Sequence, residues 1–264
     1  MLIKTNGIGI DYRDTGSGLP VLFIHAFPLN QTMWDQQLLA LQSECRVITL
    51  DLRGFGQSDA PPGLSLMDQM AADVRGVMSG LNIERAVLVG LSMGGYVSLS
   101  FYRDYPESVL ALVLADTRAS ADTQEARERR LKSAAKAEAE GSKAIADEMI
   151  PLLLGSTTLS SRPRIVERVR AMIETNSPIG IAGAQRGMAE RRDSTSMLAS
   201  MDLPVLIVAG SEDKLTPVAE AEGLRNNIPG ARLRVIESAG HLSNIENPDE
   251  FNKALGEFLK QLSR

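Results

Sequence analysis

A mostly parallel α/β sheet with helices on both faces is the fold class that this sequence predicts, and three observations predict it. Short apolar runs alternate along the chain with stretches of helical periodicity. Six of those runs, at residues 21–24, 46–50, 86–89, 110–114, 205–208 and 233–236, are short and continuous, the pattern of strands buried on both faces. The length of 264 residues, with 44% hydrophobic and 23% charged side chains, suits one such core, and the chain carries no repeat or low-complexity tract.

In chain order, residues 2–5 and 8–12 flank Asn6-Gly7, a favoured tight-turn pair, so an antiparallel hairpin is expected at the sheet edge. Leu66, Met70, Val74, Val77, Met78 and Leu81 recur at helical spacing, with Ser65 placed to cap the start and Gly80 near the end. A further helix follows residue 92 and ends near Tyr105. From about 117 to 200 no convincing strand occurs; Ile165, Val166, Val169, Met172 and Ile173 instead mark one apolar helical face behind Pro163 at a helix start. The interval 117–200 therefore reads as a helical cap inserted into a core domain made of residues 1–116 and 201–264. Strand and helix alternate again from Pro204, and a helix over about 248–262 closes the chain.

The formal net charge of −5 has the wrong sign for a polyphosphate partner, so nucleic acid is set aside. The first residues run straight into a strand pattern without a basic and then apolar leader, and no apolar run reaches the ~18 residues of a membrane span. A soluble, cytoplasmic protein without a membrane role is the expectation. Cys45, the single cysteine, cannot pair within the chain and adjoins an apolar run, so it reads as a buried structural thiol.

The strongest chemical signal is Gly90-Leu91-Ser92-Met93-Gly94-Gly95, which follows an apolar strand and precedes a helix. A sharp strand-to-helix turn of this kind pushes the serine out at the end of the sheet, and small neighbours let the strand and helix backbones approach. It also leaves the Met93 amide at a helix N-terminus, where unpaired N–H groups and the dipole favour a developing oxyanion. A glycine-rich turn with an idle serine is the bland alternative, which the strand before and the helix after make the weaker one.

A serine nucleophile needs a base near neutral pH, and the chain holds only His25 and His241. His241 follows the final strand on a loop that opens at the same sheet end as Ser92. His25 ends an early strand and reads as a structural hydrogen-bonding residue. For the acid, Asp213 lies between serine and histidine in chain order, on the turn-rich loop after the strand at 205–208. Asp116, after the strand at 110–114, is its rival, and Asp213 is preferred because its loop can deliver a carboxylate to the histidine loop.

The order of His25-Ala26-Phe27-Pro28, Asp51-Leu52-Arg53-Gly54-Phe55-Gly56-Gln57-Ser58, the elbow at 90–95, Gly210-Ser211-Glu212-Asp213 and Gly240-His241 resembles the α/β-hydrolase superfamily over essentially the whole chain outside the insert. Within it, the chain is most similar to bacterial 3-oxoadipate enol-lactonase-like and small carboxylesterase members. The resemblance implies a triad of Ser92, Asp213 and His241, an oxyanion hole formed by the amides of Phe27 and Met93, and a structural turn at 51–58. Ala26 stands where glycine is usual, a small change. Haloalkane dehalogenases and epoxide hydrolases share the fold but need an aspartate nucleophile, so serine at 92 excludes both chemistries.

These readings imply a hydrolase for small esters or lactones, working through an acyl-enzyme without metal or organic cofactor. Perhydrolase or haloperoxidase-type activity and a ligand receptor with a retained triad are the alternatives. The insert has no aromatic residue between 118 and 200, so its contribution to a pocket is expected from Leu, Ile, Val, Met and Ala. Met149, Met172, Met188 and Met197, at helical spacing, read as core ahead of an adaptable substrate surface. The insert carries 14 basic against 11 acidic side chains, a balance that leaves a carboxylated substrate conceivable. Runs such as Arg127-Glu128-Arg129-Arg130 read as a solvated helix face.

Overall fold

In the computed structural model, which describes residues 1–262, the chain opens with strands β1 (Leu2–Thr5) and β2 (Ile8–Thr15), an antiparallel hairpin turning at Asn6-Gly7. Both turn residues have positive φ, 48° and 78°, the conformation that suits Asn-Gly to a two-residue hairpin. Six more strands follow: β3 (Pro20–Ile24), β4 (Arg46–Leu50), β5 (Ala86–Leu91), β6 (Val109–Ala115), β7 (Val205–Gly210) and β8 (Arg232–Ile236). They join one eight-stranded sheet in the order β1-β2-β4-β3-β5-β6-β7-β8, antiparallel through β2 and parallel from β4 to β8.

The expected burial holds for the central strands and fails at β8. β5 and β7 are buried at every position, whereas Arg232, Arg234 and Val235 of β8 are exposed because this strand forms the sheet edge. An apolar run near the end of the chain does not by itself reveal whether a neighbour covers it.

Helices α1 (Asp35–Leu41), α2 (Met67–Gly80) and α3 (Met93–Asp104) alternate with the strands; α2 packs on α3, which in turn lies against β3, β5 and β6. Ser65 does not cap α2. The cap position is Leu66, whose amide donates to Gln69 Oε1 at 3.0 Å. Ser65 is instead buried, its amide donating to Gly183 O at 3.1 Å. Tertiary packing against the insert overrides the local capping preference. Cys45 is buried, and burial pushes its thiol up.

Between β6 and β7 the chain forms only helices: α4 (Gln124–Leu153), α5 (Ser156–Ser161), α6 (Pro163–Glu174), α7 (Pro178–Ala189) and a 3-10 turn at Thr195–Ser200. α4 is broken at Gly141, where φ is 82°. It packs on α6 and α7, and Val169, Met172 and Ile173 of α6 are buried, with Ile165 and Val166 half-buried beside them. After β7 come α8 (Val218–Asn227), the short α9 (Ser243–Glu246) and α10 (Pro248–Leu262), which packs on α1, β7 and β8. No helix among the described residues is long and apolar enough to cross a membrane.

Candidate active site

The parallel register brings five chain segments out at one end of the sheet. Ile24 pairs with Gly90, Leu91 with Ala115, Ala115 with Val208, and Gly210 with Ile236. Each following loop therefore opens at the same edge: 25–28 after β3, 92 after β5, 116–118 after β6, 211–217 after β7 and 237–242 after β8. In open parallel sheets this carboxyl end is where ligands meet side chains.

Ser92 sits between β5 and α3 with φ 55° and ψ −112°, a strained conformation for a non-glycine residue that costs about 1–3 kcal/mol. Neighbouring backbone holds it there. Its amide donates to Ala115 O at 2.9 Å, and its carbonyl accepts from Gly95 N at 2.9 Å and Thr117 Oγ1 at 2.8 Å. Gly94 is required by close approach, since a Cβ there would lie 2.1 Å from Ile24 O. That contact draws the start of α3 against the chain entering His25-Ala26-Phe27. Among the described residues neither the Phe27 amide nor the Met93 amide donates to a protein acceptor, and Phe27, Ser92 and His241 line one cavity.

His241 Nε2 stands 2.7 Å from Ser92 Oγ, and Nδ1 stands 2.8 Å from Asp213 Oδ2. With Nδ1–H donating to the carboxylate, Nε2 is free to accept the serine proton. Asp213 also orders its own loop, accepting from Leu215 N at 2.8 Å, Thr216 N at 3.0 Å and Thr216 Oγ1 at 2.6 Å. Burial pushes its carboxyl up, but the His241 charge and these bonds outweigh that and hold it below the usual range. Thr216, three residues on in the same loop, is thus a second support of the Asp213 carboxylate.

The rivals occupy other contacts. Asp116 Oδ1 accepts from Gly210 N at 2.7 Å, and Oδ2 accepts from Ser243 Oγ. Burial first, and then the charge of Asp213, push its carboxyl well above the usual range. His25 is wholly buried, its Nε2 accepting from Leu52 N at 3.0 Å and its Nδ1 paired with Ala26 O at 2.9 Å. Burial holds it toward the neutral form. It ties the Phe27 loop to the turn at 51–58, whose Asp51 accepts from Gln31 N at 2.7 Å and Gln57 N at 2.9 Å. His25→Ala is therefore expected to lower thermal stability and lose far less ester turnover than His241→Ala, as steady-state kinetics on the two folded variants would show. The reverse ranking would overturn this division of roles.

The cavity above Ser92 has a volume of about 390 Å³. Tyr96, Leu215 and Thr216 of the core share its wall with Met149, Leu152 and Met188 of the insert. The expected apolar contribution is thus only part of the lining. Ala126, Arg129, Arg130 and Ser133 of α4 also face it, at the i, i+3, i+4, i+7 spacing of one helix face. The charged run at 127–130 is therefore not simply a solvated face. Arg127 pairs with Glu190, and Arg129, at the cavity rim, pairs with the exposed Glu125; Arg130 pairs with Asp122, whose side chain is buried and which Arg191 also reaches at 2.7 Å. The Arg191 guanidinium lies 4.3 Å from the centre of the Tyr96 ring, linking this polar roof to a residue of the cavity wall. Met149 and Met188 line the cavity while also packing in the core, so both readings of these methionines apply to them.

A sequence profile described as "Alpha/beta hydrolase family" matches residues 21–254. The chain is 30% identical over 243 residues to 3-oxoadipate enol-lactonase 2 of Acinetobacter baylyi, covering 92% of this chain and 89% of that protein. Among solved structures, a thermophilic esterase from Thermogutta terrifontis, studied with malate bound, superposes with a TM-score of 0.96 at 42% identity, covering 99% of this chain and 97% of that one. The enol-lactonase from Burkholderia xenovorans LB400 gives a TM-score of 0.92 at 29% identity, covering 98% and 100%.

Proposed function

This chain belongs to the alpha/beta hydrolase family, and on that premise we propose that it cleaves small carboxylic esters or lactones through an acyl-enzyme on Ser92. The observation that carries the reading is the unbroken relay from Ser92 Oγ through His241 to Asp213, with bonds of 2.7 and 2.8 Å at the floor of the cavity. His241 takes the serine proton as Oγ attacks the carbonyl carbon, and the amides of Phe27 and Met93 receive the oxyanion. Asp213 orients the imidazole and stabilises its charged form. The tetrahedral intermediate collapses by breaking the bond to the leaving oxygen, which His241 protonates. Water, deprotonated by His241, then attacks the acyl carbon and releases the acid and free Ser92. No metal or organic cofactor enters any step.

Esterase and enol-lactonase relatives support this reaction class. The cavity volume narrows it, because about 390 Å³ lies near the small end of ligand pockets. Each methylene that fits adds ~0.8 kcal/mol of burial, and each one beyond the wall adds a clash. Across p-nitrophenyl esters, kcat/KM is expected to peak at acyl groups of about two to six carbons. A preference for sixteen-carbon chains (roughly the long-chain limit of such a panel) would reject the pocket argument. Rapid peracid formation with negligible ester or lactone hydrolysis would favour perhydrolysis, and labelling of Ser92 without continuous turnover would favour a receptor.

A further inference from the structure

Glu246 ends α9 shortly after His241, and its side chain is buried. No cation forms a salt bridge with it among the described residues; its carboxylate is met by backbone amides. Oε1 accepts from Gly240 N at 2.9 Å and from Leu242 N at 3.3 Å, the residues on either side of His241. Oε2 accepts from Gly155 N at 2.9 Å, in the link between α4 and α5 of the insert. A carboxylate is costly to bury without such donors, so their convergence from two segments marks a built contact.

Three further contacts close the same seam. The His241 amide donates to Leu153 O at 3.0 Å, at the end of α4. Gly155 and Gly240 touch backbone to backbone, so that a Cβ on Gly240 would lie 2.3 Å from Gly155 N. On the neighbouring loop Glu212, adjacent to Asp213, accepts from Thr157 N at 2.8 Å and Ser156 Oγ at 3.0 Å. Segment 153–157 of the insert is thereby tied to both the histidine loop and the acid loop.

We propose that Glu246 is a positioning residue for His241: its carboxylate locks the backbone on both sides of the imidazole to the insert, so that Nε2 stays in line with Ser92 Oγ while the insert is seated. This role rests on the hydrolase reading of Ser92 and His241. A carboxylate can receive donors on both oxygens, whereas the amide of glutamine offers one acceptor and turns N–H groups toward the donors on the other side. In Glu246→Gln one half of the clamp must therefore open. Displacing a reacting group by about 1 Å can cost about 100-fold in rate without removing any substrate contact.

The test uses the full chain and three measurements: kcat and KM for p-nitrophenyl acetate, the low-field proton resonance of His241 Nδ1–H against Asp213, and hydrogen exchange of the wild-type Gly155, Gly240 and Leu242 amides. In a folded Glu246→Gln variant we expect kcat to fall about 100-fold with KM changed less than about threefold, and the low-field resonance to weaken or move. In the wild type the three amides are expected to exchange together at one slow rate, a reading that needs no variant to fold. A folded variant with kcat within about twofold of wild type and an unchanged resonance overturns the proposal. So does rapid exchange at Gly155 while Gly240 and Leu242 stay protected. Absence of ester turnover in the wild type would instead reject the hydrolase reading, and the resonance and exchange measurements would still decide whether Glu246 positions the histidine.

Discussion

Ser92→Ala is expected to reduce ester turnover by on the order of 10⁴-fold or more, the largest effect of any single substitution in this chain. The hydroxyl is the only group in the relay that can form the acyl-enzyme, and its removal leaves His241 facing a methyl group. Cavity and amides remain, so substrate binding persists and a small residual rate over water is retained. The variant should fold normally, because the contacts that hold the elbow are made by the Ser92 backbone. Steady-state kinetics with p-nitrophenyl acetate would measure the loss, and mass spectrometry after fluorophosphonate treatment would locate the adduct. A variant with turnover near wild type, or an adduct on another serine, would remove Ser92 from the mechanism.

Asp213→Asn should follow closely, losing on the order of 10⁴-fold in kcat, because an amide beside Nδ1 favours the wrong imidazole tautomer and cannot stabilise the imidazolium. Asp116→Asn is expected to lose far less. Its side chain meets Gly210 and Ser243, and asparagine can still accept from one and donate to the other. Thermal unfolding offers an independent reading of the second variant. The Asp116 carboxyl is raised in the folded chain, so the folded state holds that proton more tightly than the unfolded one. Its contribution to stability is therefore full below the unfolded pKa of about 3.9 and is lost as pH rises toward the folded value. Because Asp116→Asn removes that loss, its unfolding temperature relative to wild type should climb as pH increases above the ordinary carboxyl range. Equal kinetic losses in the two folded variants would leave no distinction between the carboxylates.

Much of the architecture was legible because its causes are local. An Asn-Gly pair between two short apolar stretches demands a hairpin turn, and both residues adopt positive φ. The elbow is equally local: a strand, a strained serine and small residues that permit close packing are all written within 86–95. Chain order and the ends of parallel strands were enough to nominate Ser92, Asp213 and His241 as candidates for one site.

Tertiary structure decided what depends on the direction of side chains and on contacts between distant segments. Both Asp116 and Asp213 leave parallel strands at the same end, and only the loop conformations direct Asp213 to the imidazole and Asp116 to Gly210 and Ser243. Ser65 has the chemistry of a helix cap but is buried against the insert. Arg130 has the pattern of a solvated helix face, yet Asp122 holds it at the cavity. Glu246 has no partner along the chain for its second oxygen, and only the fold brings Gly155 to it. The physical reason is common to all four: periodicity and turn chemistry are settled by neighbours along the chain, whereas the partner of a polar group is settled by which remote backbone or side chain reaches hydrogen-bonding distance first.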